Sequence, residues 1–251
     1  MRAMPSKILE SEFAQNTASL RDRLIVALDV SDAGTARDLV RRIGDSAGIY
    51  KVGLQLFTAE GPGFVRELVE SGRKVFLDLK LHDIPTTVSH AVKVAVSTGA
   101  SMLTVHASGG AAMLEAAAEA ANGKLTLLGV TVLTSFSDQD LMQVGVPTSV
   151  LNQVLRMAAL ARGAGFGGIV TSPREAAEVR RELGEGFAIV TPGIRPAGAE
   201  VNDQQRSATP ASAIKAGVSH IVVGRPITHA ENPAEAAKSI LAEMEQAQAT
   251  K

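Results

Sequence analysis

The sequence predicts an α/β protein with a closed (β/α)8 barrel, the TIM barrel architecture, in a single domain. Three observations predict it: eight short apolar runs, helical spacing between consecutive runs, and a length of 251 residues, which one barrel fills. Alternating strands and helices indicate parallel strands, because hairpin turns would join strands without an intervening helix. Length alone would also permit two small domains, but eight repeats favour closure of one sheet.

The eight predicted strands cover residues 24–30, 49–54, 74–80, 102–107, 125–133, 168–172, 188–194 and 220–226. Helical spacing follows residues that typically begin a helix, as in Leu39, Val40 and Ile43 after Ser31 and Asp32. An open doubly wound sheet is the alternative, but no G-x-G-x-x-G follows the first strand. We interpret residues 1–251 as one domain, with residues 1–22 as an N-terminal extension or lead-in helix.

Charge and cysteine content limit the classes of function. The 25 Lys and Arg residues nearly balance the 26 Asp and Glu residues, which argues against a broad nucleic-acid-binding face. No Cys is present, so disulfides, thiolate nucleophiles and Cys-based zinc sites are excluded. The N-terminus has no apolar core of signal-peptide length, and no later apolar run would span a bilayer. We expect a soluble cytoplasmic protein without nucleic-acid or membrane partners.

Two long connections follow predicted strands, at residues 134–150 and 195–209. Both come after the carboxyl end of a strand. Connections at that end of a barrel build the active site, so these two are candidate lids.

Charged residues occur inside a predicted barrel strand. Asp78 and Lys80 alternate with Leu77 and Leu79, so the two charges share one face of the strand and point into the barrel. Such charges are costly unless they are paired or bind a ligand. Lys51, on the preceding strand, can join them. A structural ion pair is the alternative for this pair of charges.

Asp83 follows the same strand and extends the charged series to Lys51, Asp78, Lys80 and Asp83. Taken alone, Asp83 is better explained as a cap for the helix that begins near Pro85. The set of four charges favours a functional site instead, because a satisfied core would rarely need four.

The chain resembles the orotidine 5′-phosphate decarboxylase family. The run DLKLHDIPTT matches the signature of that family, and further pieces appear in the family's order from the first to the eighth strand: ALDV with Asp29, YKVG with Lys51, TVLTS with Thr134, TPGIRP with Arg195, DQQR with Gln204, and VVGRP with Gly224 and Arg225. D-x-K-x-x-D alone is shared with related barrel enzymes that act on sugar phosphates; the other pieces narrow the resemblance.

The resemblance implies that Lys80 donates a proton to the pyrimidine carbon that loses CO₂, and that Lys51, Asp78 and Asp83 complete a catalytic tetrad. It implies a homodimer in which Asp83 and Thr87 serve the neighbouring subunit's site, and it implies no metal and no cofactor. The other implied contacts of the nucleotide substrate are Asp29 and Lys51 with ribose, Thr134 with the pyrimidine, and Arg195, Gln204, Gly224 and Arg225 with phosphate.

Purely structural interpretations remain open for individual residues of this set. Without the motifs, Asp29 is equally explained as an acid of a βα turn, Thr134 as a turn hydroxyl, and Arg225 as a cap of backbone carbonyls. His82 is left out of the predicted site because the proton donor is already Lys80, and His106 because it is better explained by a hydrogen bond at the end of a strand. For the whole chain, two alternatives stay open: a Mg²⁺-dependent relative such as a hexulose-phosphate synthase or ketogulonate-phosphate decarboxylase, and a catalytically silent phosphate-binding barrel.

Overall fold

The computed structural model describes residues 20–196 and 207–249, which form a closed barrel of eight parallel strands. The strands follow one another around the barrel in chain order: β1 (Leu24–Ala27), β2 (Ile49–Gly53), β3 (Lys74–Leu81), β4 (Met102–His106), β5 (Thr126–Val130), β6 (Gly168–Val170), β7 (Ala188–Thr191) and β8 (His220–Val223). β1 pairs with β8 as well as with β2, which closes the sheet. The predicted barrel is confirmed, and the open sheet is excluded.

Helices connect the strands on the outside of the barrel. They are α1 (Ala33–Ile43), α2 (Leu54–Glu70), α3 (Pro85–Ser97), α4 (Ala111–Ala121), α5 (Asp138–Gln143), α6 (Val150–Gly163), α7 (Ala176–Leu183), α8 (Pro210–Lys215), α9 (Arg225–Thr228) and α10 (Pro233–Ala249). Asp32 caps α1 as expected, since its carboxylate accepts the Thr35 N–H at 2.8 Å. Within the described ranges, no helix combines the length and apolarity needed to cross a membrane.

Several predicted strands are too long at their carboxyl ends. The first ends at Ala27 rather than at residue 30, the seventh at Thr191 rather than at residue 194, and the eighth at Val223 rather than at residue 226. The apolar run continues beyond the last paired residue, because apolar residues after the strand, such as Leu28, Ile194 and Ile227, still pack in the core. After Val223, α9 begins at once with Gly224 as its N-cap residue.

The predicted loop at residues 134–150 contains a helix. Ser137 and Asp140 form a capping box at the start of α5: the Ser137 hydroxyl accepts the Asp140 N–H, and the Asp140 carboxylate accepts the Ser137 N–H. The N-terminal prediction is tested only at its end: Leu20–Arg23 form one 3₁₀ turn, and residues 1–19 lie outside the described residues.

The core has two parts separated by the sheet. A large apolar layer lies between the strands and the surrounding helices, and it includes Leu77 and Leu103. A smaller cluster fills the barrel interior with one or two residues from most strands: Ile25, Ala27, Ile49, Phe76, Met102, Leu128, Val190 and Val222. The interior is therefore packed below the mouth, and Phe76 forms part of its upper layer.

The pairing of β3 with β4 is interrupted by a bulge. Leu77 pairs with Leu103 and Leu81 pairs with Val105, so three residues of β3 lie opposite Thr104 alone. Lys80, within the bulge, has a positive φ of 49°. The bulge thus changes the direction of the backbone in the segment of β3 that carries Asp78 and Lys80.

Candidate active site

A cavity of about 580 Å³ opens at the carboxyl ends of the strands. Apolar side chains of the barrel interior, including Phe76 and Val222, form its base. Eight of the predicted site residues line it: Asp29, Lys51, Asp78, Lys80, Thr134, Arg195, Gly224 and Arg225. Residues from six different strands or strand ends thus meet in one place.

A chain of alternating charges crosses the cavity. Lys51 Nζ lies 2.8 Å from Asp29 Oδ1 and 3.6 Å from Asp78 Oδ2, while Lys80 Nζ lies 2.8 Å from Asp78 Oδ1. Lys51 is buried and the Asp78 side chain is only 14% exposed, whereas the Lys80 side chain is 31% exposed and faces the cavity. The structure therefore brings Asp29, Lys51, Asp78 and Lys80 together.

Asp78 is held as a carboxylate by its surroundings. Burial alone would raise its pKa, but the charges of Lys51 and Lys80, with hydrogen bonds from Lys80 and Thr104, outweigh burial and keep the pKa below its usual value. Both carboxylate oxygens face ammonium groups. Asp78 is consequently a fixed negative charge beside the Lys80 ammonium.

Gly53 leaves room for this charge network. A Cβ at this position would lie 3.0 Å from Lys51 Nζ and 3.2 Å from Asp29 Oδ1. Gly53 and Lys51 share one face of β2, so any side chain here would press on the ion pair from above.

The opposite side of the cavity is built from the connections after β7 and β8. Arg195 is buried, and Gly224 and Arg225 form the start of α9. The two ends of the 195–209 connection meet, since the Arg195 N–H donates to the Ala208 carbonyl at 2.9 Å. Gln204 lies outside the described residues.

Asp83 and Thr87 do not join the cavity of their own chain. Both are exposed, and neither lines the cavity. The suggested capping role of Asp83 is wrong: Ile84 is the N-cap residue of α3, and the Asp83 carboxylate accepts the Ile84 N–H at 2.6 Å. Ile84, between Asp83 and Thr87 in the chain, is also exposed, at 66%.

The two histidines near the site form a pair outside the cavity. The His82 and His106 ring centroids are 5.3 Å apart. Burial, followed by the nearby charges of His82 and Lys80, lowers the pKa of His106, which favours a neutral imidazole. Among the described residues, no three His, Asp or Glu side chains are grouped so as to hold a metal ion.

Sequence reasoning missed three residues of the site. Thr104 hydrogen bonds to Asp78, Gly53 leaves space for Lys51, and His229 lines the cavity near Arg225. The sequence contains a pattern that could have identified Thr104: it is a polar residue on the same face of β4 as Met102, which lies in the barrel interior. No pattern in the sequence pointed to His229.

Comparisons with known proteins agree with this architecture. Residues 22–240 match the orotidine 5′-phosphate decarboxylase / HUMPS family. Orotidine 5′-phosphate decarboxylase of Syntrophotalea carbinolica is 50% identical over 232 residues, covering 89% of this chain and 95% of the relative. The enzyme of the same name from Anaeromyxobacter sp. is 50% identical over 221 residues, covering 88% and 97%.

Solved structures give the same result. The crystal structure of orotidine 5′-phosphate decarboxylase from Lactobacillus acidophilus superposes with a TM-score of 0.80 at 37% identity, covering 89% of this chain and 99% of that one. The enzyme of that name from Pyrococcus horikoshii gives 0.72 at 27% identity, covering 88% and 99%. The chain belongs to the orotidine 5′-phosphate decarboxylase / HUMPS family.

Proposed function

We propose that this chain converts orotidine 5′-phosphate to UMP and CO₂, the decarboxylation step of de novo pyrimidine synthesis. The names of its relatives support this reaction. The observation that carries the proposal is the position of Lys80, whose ammonium lies in the cavity, 2.8 Å from the largely buried carboxylate of Asp78.

Decarboxylation breaks the bond between a ring carbon and the carboxylate, and leaves the electron pair on that carbon. No adjacent carbonyl can delocalise this charge, so a nearby cation must stabilise it. In the proposed mechanism the Lys80 ammonium stabilises the developing carbanion and then transfers a proton to the carbon. Lys80 leaves this step as a neutral amine and is reprotonated before the next turnover.

The charge of one ammonium does not stabilise the carbanion sufficiently. A unit charge at contact distance gives about 4 kcal/mol at an effective dielectric of about 20, which corresponds to roughly a thousandfold in rate. The rest must come from the preorganised charges of the network and from binding energy of the unreactive phosphate and ribose. Asp78 contributes by fixing both lysines before the substrate arrives.

We assign the rest of the cavity to substrate binding. Arg225 and Arg195 would hold the phosphate, with Gln204 and the backbone at Gly224, because guanidinium groups bind phosphate oxygens in a forked geometry. Asp29 and Lys51 would contact the ribose hydroxyls, and Thr134 the pyrimidine. The reaction in this form requires no metal and no cofactor.

The proposed active unit is a homodimer. Asp83 and Thr87 are exposed and lie away from the cavity of their own subunit, next to the exposed Ile84. A second copy packing over this segment would bury Ile84 and bring Asp83 to the partner's Lys80, completing the four charges. Such an isologous contact would supply both sites at once.

The remaining proposals concern the whole chain. We propose that residues 1–251 form one domain and that the protein works in the cytoplasm, a reducing compartment that suits a chain without Cys. Its balanced charge fits a small-molecule substrate better than nucleic acid.

The test is an assay that follows the ultraviolet change of orotidine 5′-phosphate, with and without EDTA. Turnover that survives the chelator supports the metal-free decarboxylase. Turnover of orotidine 5′-phosphate that EDTA abolishes and Mg²⁺ restores would contradict the metal-free mechanism. Binding of UMP without any turnover of orotidine 5′-phosphate would favour a silent nucleotide-binding barrel.

A further inference from the structure

Thr104 connects β4 to Asp78 and Lys80 of β3. Its side chain is fully buried, and its Oγ1 lies 2.8 Å from the Lys80 backbone nitrogen and 3.1 Å from Asp78 Oδ1. Met102, two residues earlier on β4, is part of the barrel interior, so Thr104 points the same way, directly beneath the charged network. No other side-chain hydroxyl of the described residues hydrogen bonds to Asp78.

The direction of these two hydrogen bonds is determined. A hydroxyl has one proton, and the Lys80 N–H can only donate. Thr104 therefore accepts from the Lys80 backbone and donates its proton to the Asp78 carboxylate. Rotation of the Thr104 side chain about the Cα–Cβ bond would break both hydrogen bonds, so together they hold the side chain in place.

These two hydrogen bonds lie at the bulge. Asp78, Leu79 and Lys80 lie opposite Thr104 alone, and the Lys80 backbone adopts the left-handed conformation with φ of 49°. A non-glycine residue in this region is strained and persists only where its surroundings hold it. The Thr104 side chain provides the hydrogen bond that the interrupted ladder does not give to the Lys80 N–H.

We propose that Thr104 is a positioning residue for catalysis, which fixes the Asp78 carboxylate and the Lys80 backbone so that the Lys80 ammonium points at the reacting carbon. This inference rests on the proposed decarboxylase function. Thr104 does not line the cavity, so we expect it to stay out of contact with a substrate bound there. Its effect should therefore fall on the chemical step and leave nucleotide binding unchanged.

Three substitutions at this position test the proposal. Thr104→Val keeps the shape and removes both hydrogen bonds, Thr104→Ser keeps the hydroxyl, and Thr104→Ala provides a smaller variant without it. The matched control is Thr131→Val on the neighbouring connection: Thr131 is also buried, but its hydroxyl donates to the Val170 carbonyl at 2.9 Å and not to a charged group. Measurements are kcat and KM for orotidine 5′-phosphate, UMP affinity and thermal unfolding.

We expect Thr104→Val to lower kcat by about 10- to 100-fold, the loss expected for a hydrogen bond to a charged group, with KM and UMP affinity within about twofold of wild type. Thr104→Ser should recover most of kcat. Thr131→Val should keep kcat near wild type even if it unfolds at a similarly reduced temperature. If Thr104→Val does not fold, the comparison of Thr104→Ser with Thr104→Ala carries the same test.

Three results would overturn the inference: an unchanged kcat in Thr104→Val, an equal loss in Thr131→Val, or a Thr104→Ser variant as slow as the variants without a hydroxyl. These outcomes leave the decarboxylase assignment standing, because they require an active wild-type enzyme. A wild-type protein that does not decarboxylate orotidine 5′-phosphate would instead overturn the proposed function and this inference with it.

Discussion

The Lys80 ammonium lies 2.8 Å from Asp78 Oδ1, and only Leu79 separates the two residues in the chain. Neighbouring side chains on one face of a regular strand point in parallel, about two residue rises apart. The bulge and the positive φ of Lys80 change this geometry and turn the two charges toward each other. Because both charges belong to one strand, their spacing does not depend on how the surrounding connections move.

The first prediction concerns Lys80. Lys80→Ala should lower kcat by at least about a thousandfold, since it removes both the stabilising charge and the proton. UMP binding should stay measurable, because the proposed phosphate contacts are unchanged. Lys74→Ala is the control: Lys74 lies on the same strand at the opposite end of the barrel, exposed and paired with Asp22. Near-normal turnover of Lys80→Ala would remove Lys80 as the proton donor.

Part of this site can be predicted from the sequence, because side chains along a strand alternate between its two faces. The sequence alone therefore predicts Asp78 and Lys80 on one face, with Lys51 on the adjacent strand. The sequence does not predict the bulge, because a bulge depends on how β3 pairs with β4, and the apolar pattern of β3 continues through it. For the same reason the hydrogen bonds of Thr104 were missed.

The connections were less predictable than the strands. Their long polar segments indicate the barrel mouth correctly. They do not predict α5, because its six residues are too few to show a helical period. The position of Asp83 could not be predicted for a different reason. Its position away from the cavity depends on where the chain turns after β3, and its proposed role depends on a second chain, which no pattern within one sequence encodes.

A second prediction uses the space beside Lys51. Gly53→Ala should lower kcat by about 10- to 100-fold, because a Cβ at 3.0 Å from Lys51 Nζ displaces the charged pair with Asp29, and small displacements of catalytic groups are costly. Gly63→Ala in the exposed part of α2 is the control, since nothing lies within 4 Å of its added Cβ. Equal kinetics of the two variants would contradict a tight fit around Lys51.

The third prediction concerns the phosphate. Arg225→Ala should raise KM and also lower kcat, because binding energy of the phosphate is used in the transition state. The exposed Arg41 of α1 offers a control of equal charge change, and Arg41→Ala should leave both constants unaltered. A change in KM alone would mean that Arg225 contributes only uniform binding, and a change in solubility alone would place the phosphate elsewhere.

The fourth prediction is a pH dependence of stability from His220, the first residue of β8, which is buried at the end of the barrel opposite the cavity. Burial, with a smaller effect of Arg23, lowers its pKa to about 4 from 6.5. The unfolded chain therefore binds more protons between these values, and the free energy of unfolding should fall as pH drops from about 6.5 to about 4, by about 3 kcal/mol in total.

Denaturant unfolding at several pH values measures this slope. His220→Leu removes the titrating group, so its unfolding free energy should depend less on pH over this range, whatever its absolute stability. Parallel curves for the variant and the wild type would show that other groups dominate the acid sensitivity.

The fifth prediction tests the shared site. Asp83→Ala and Lys80→Ala homodimers should each be inactive or nearly so, but in a hybrid dimer one site combines an intact Lys80 with an intact Asp83. Random exchange at equal concentrations makes about half of the dimers hybrid, each with one intact site, so about one quarter of wild-type activity should return. Exchange is verified with subunits of distinguishable mass, and the activity is read with the orotidine 5′-phosphate assay. Verified hybrids without activity would mean that Asp83 does not act across the interface, because the one site that keeps Lys80 can receive Asp83 only from the other subunit.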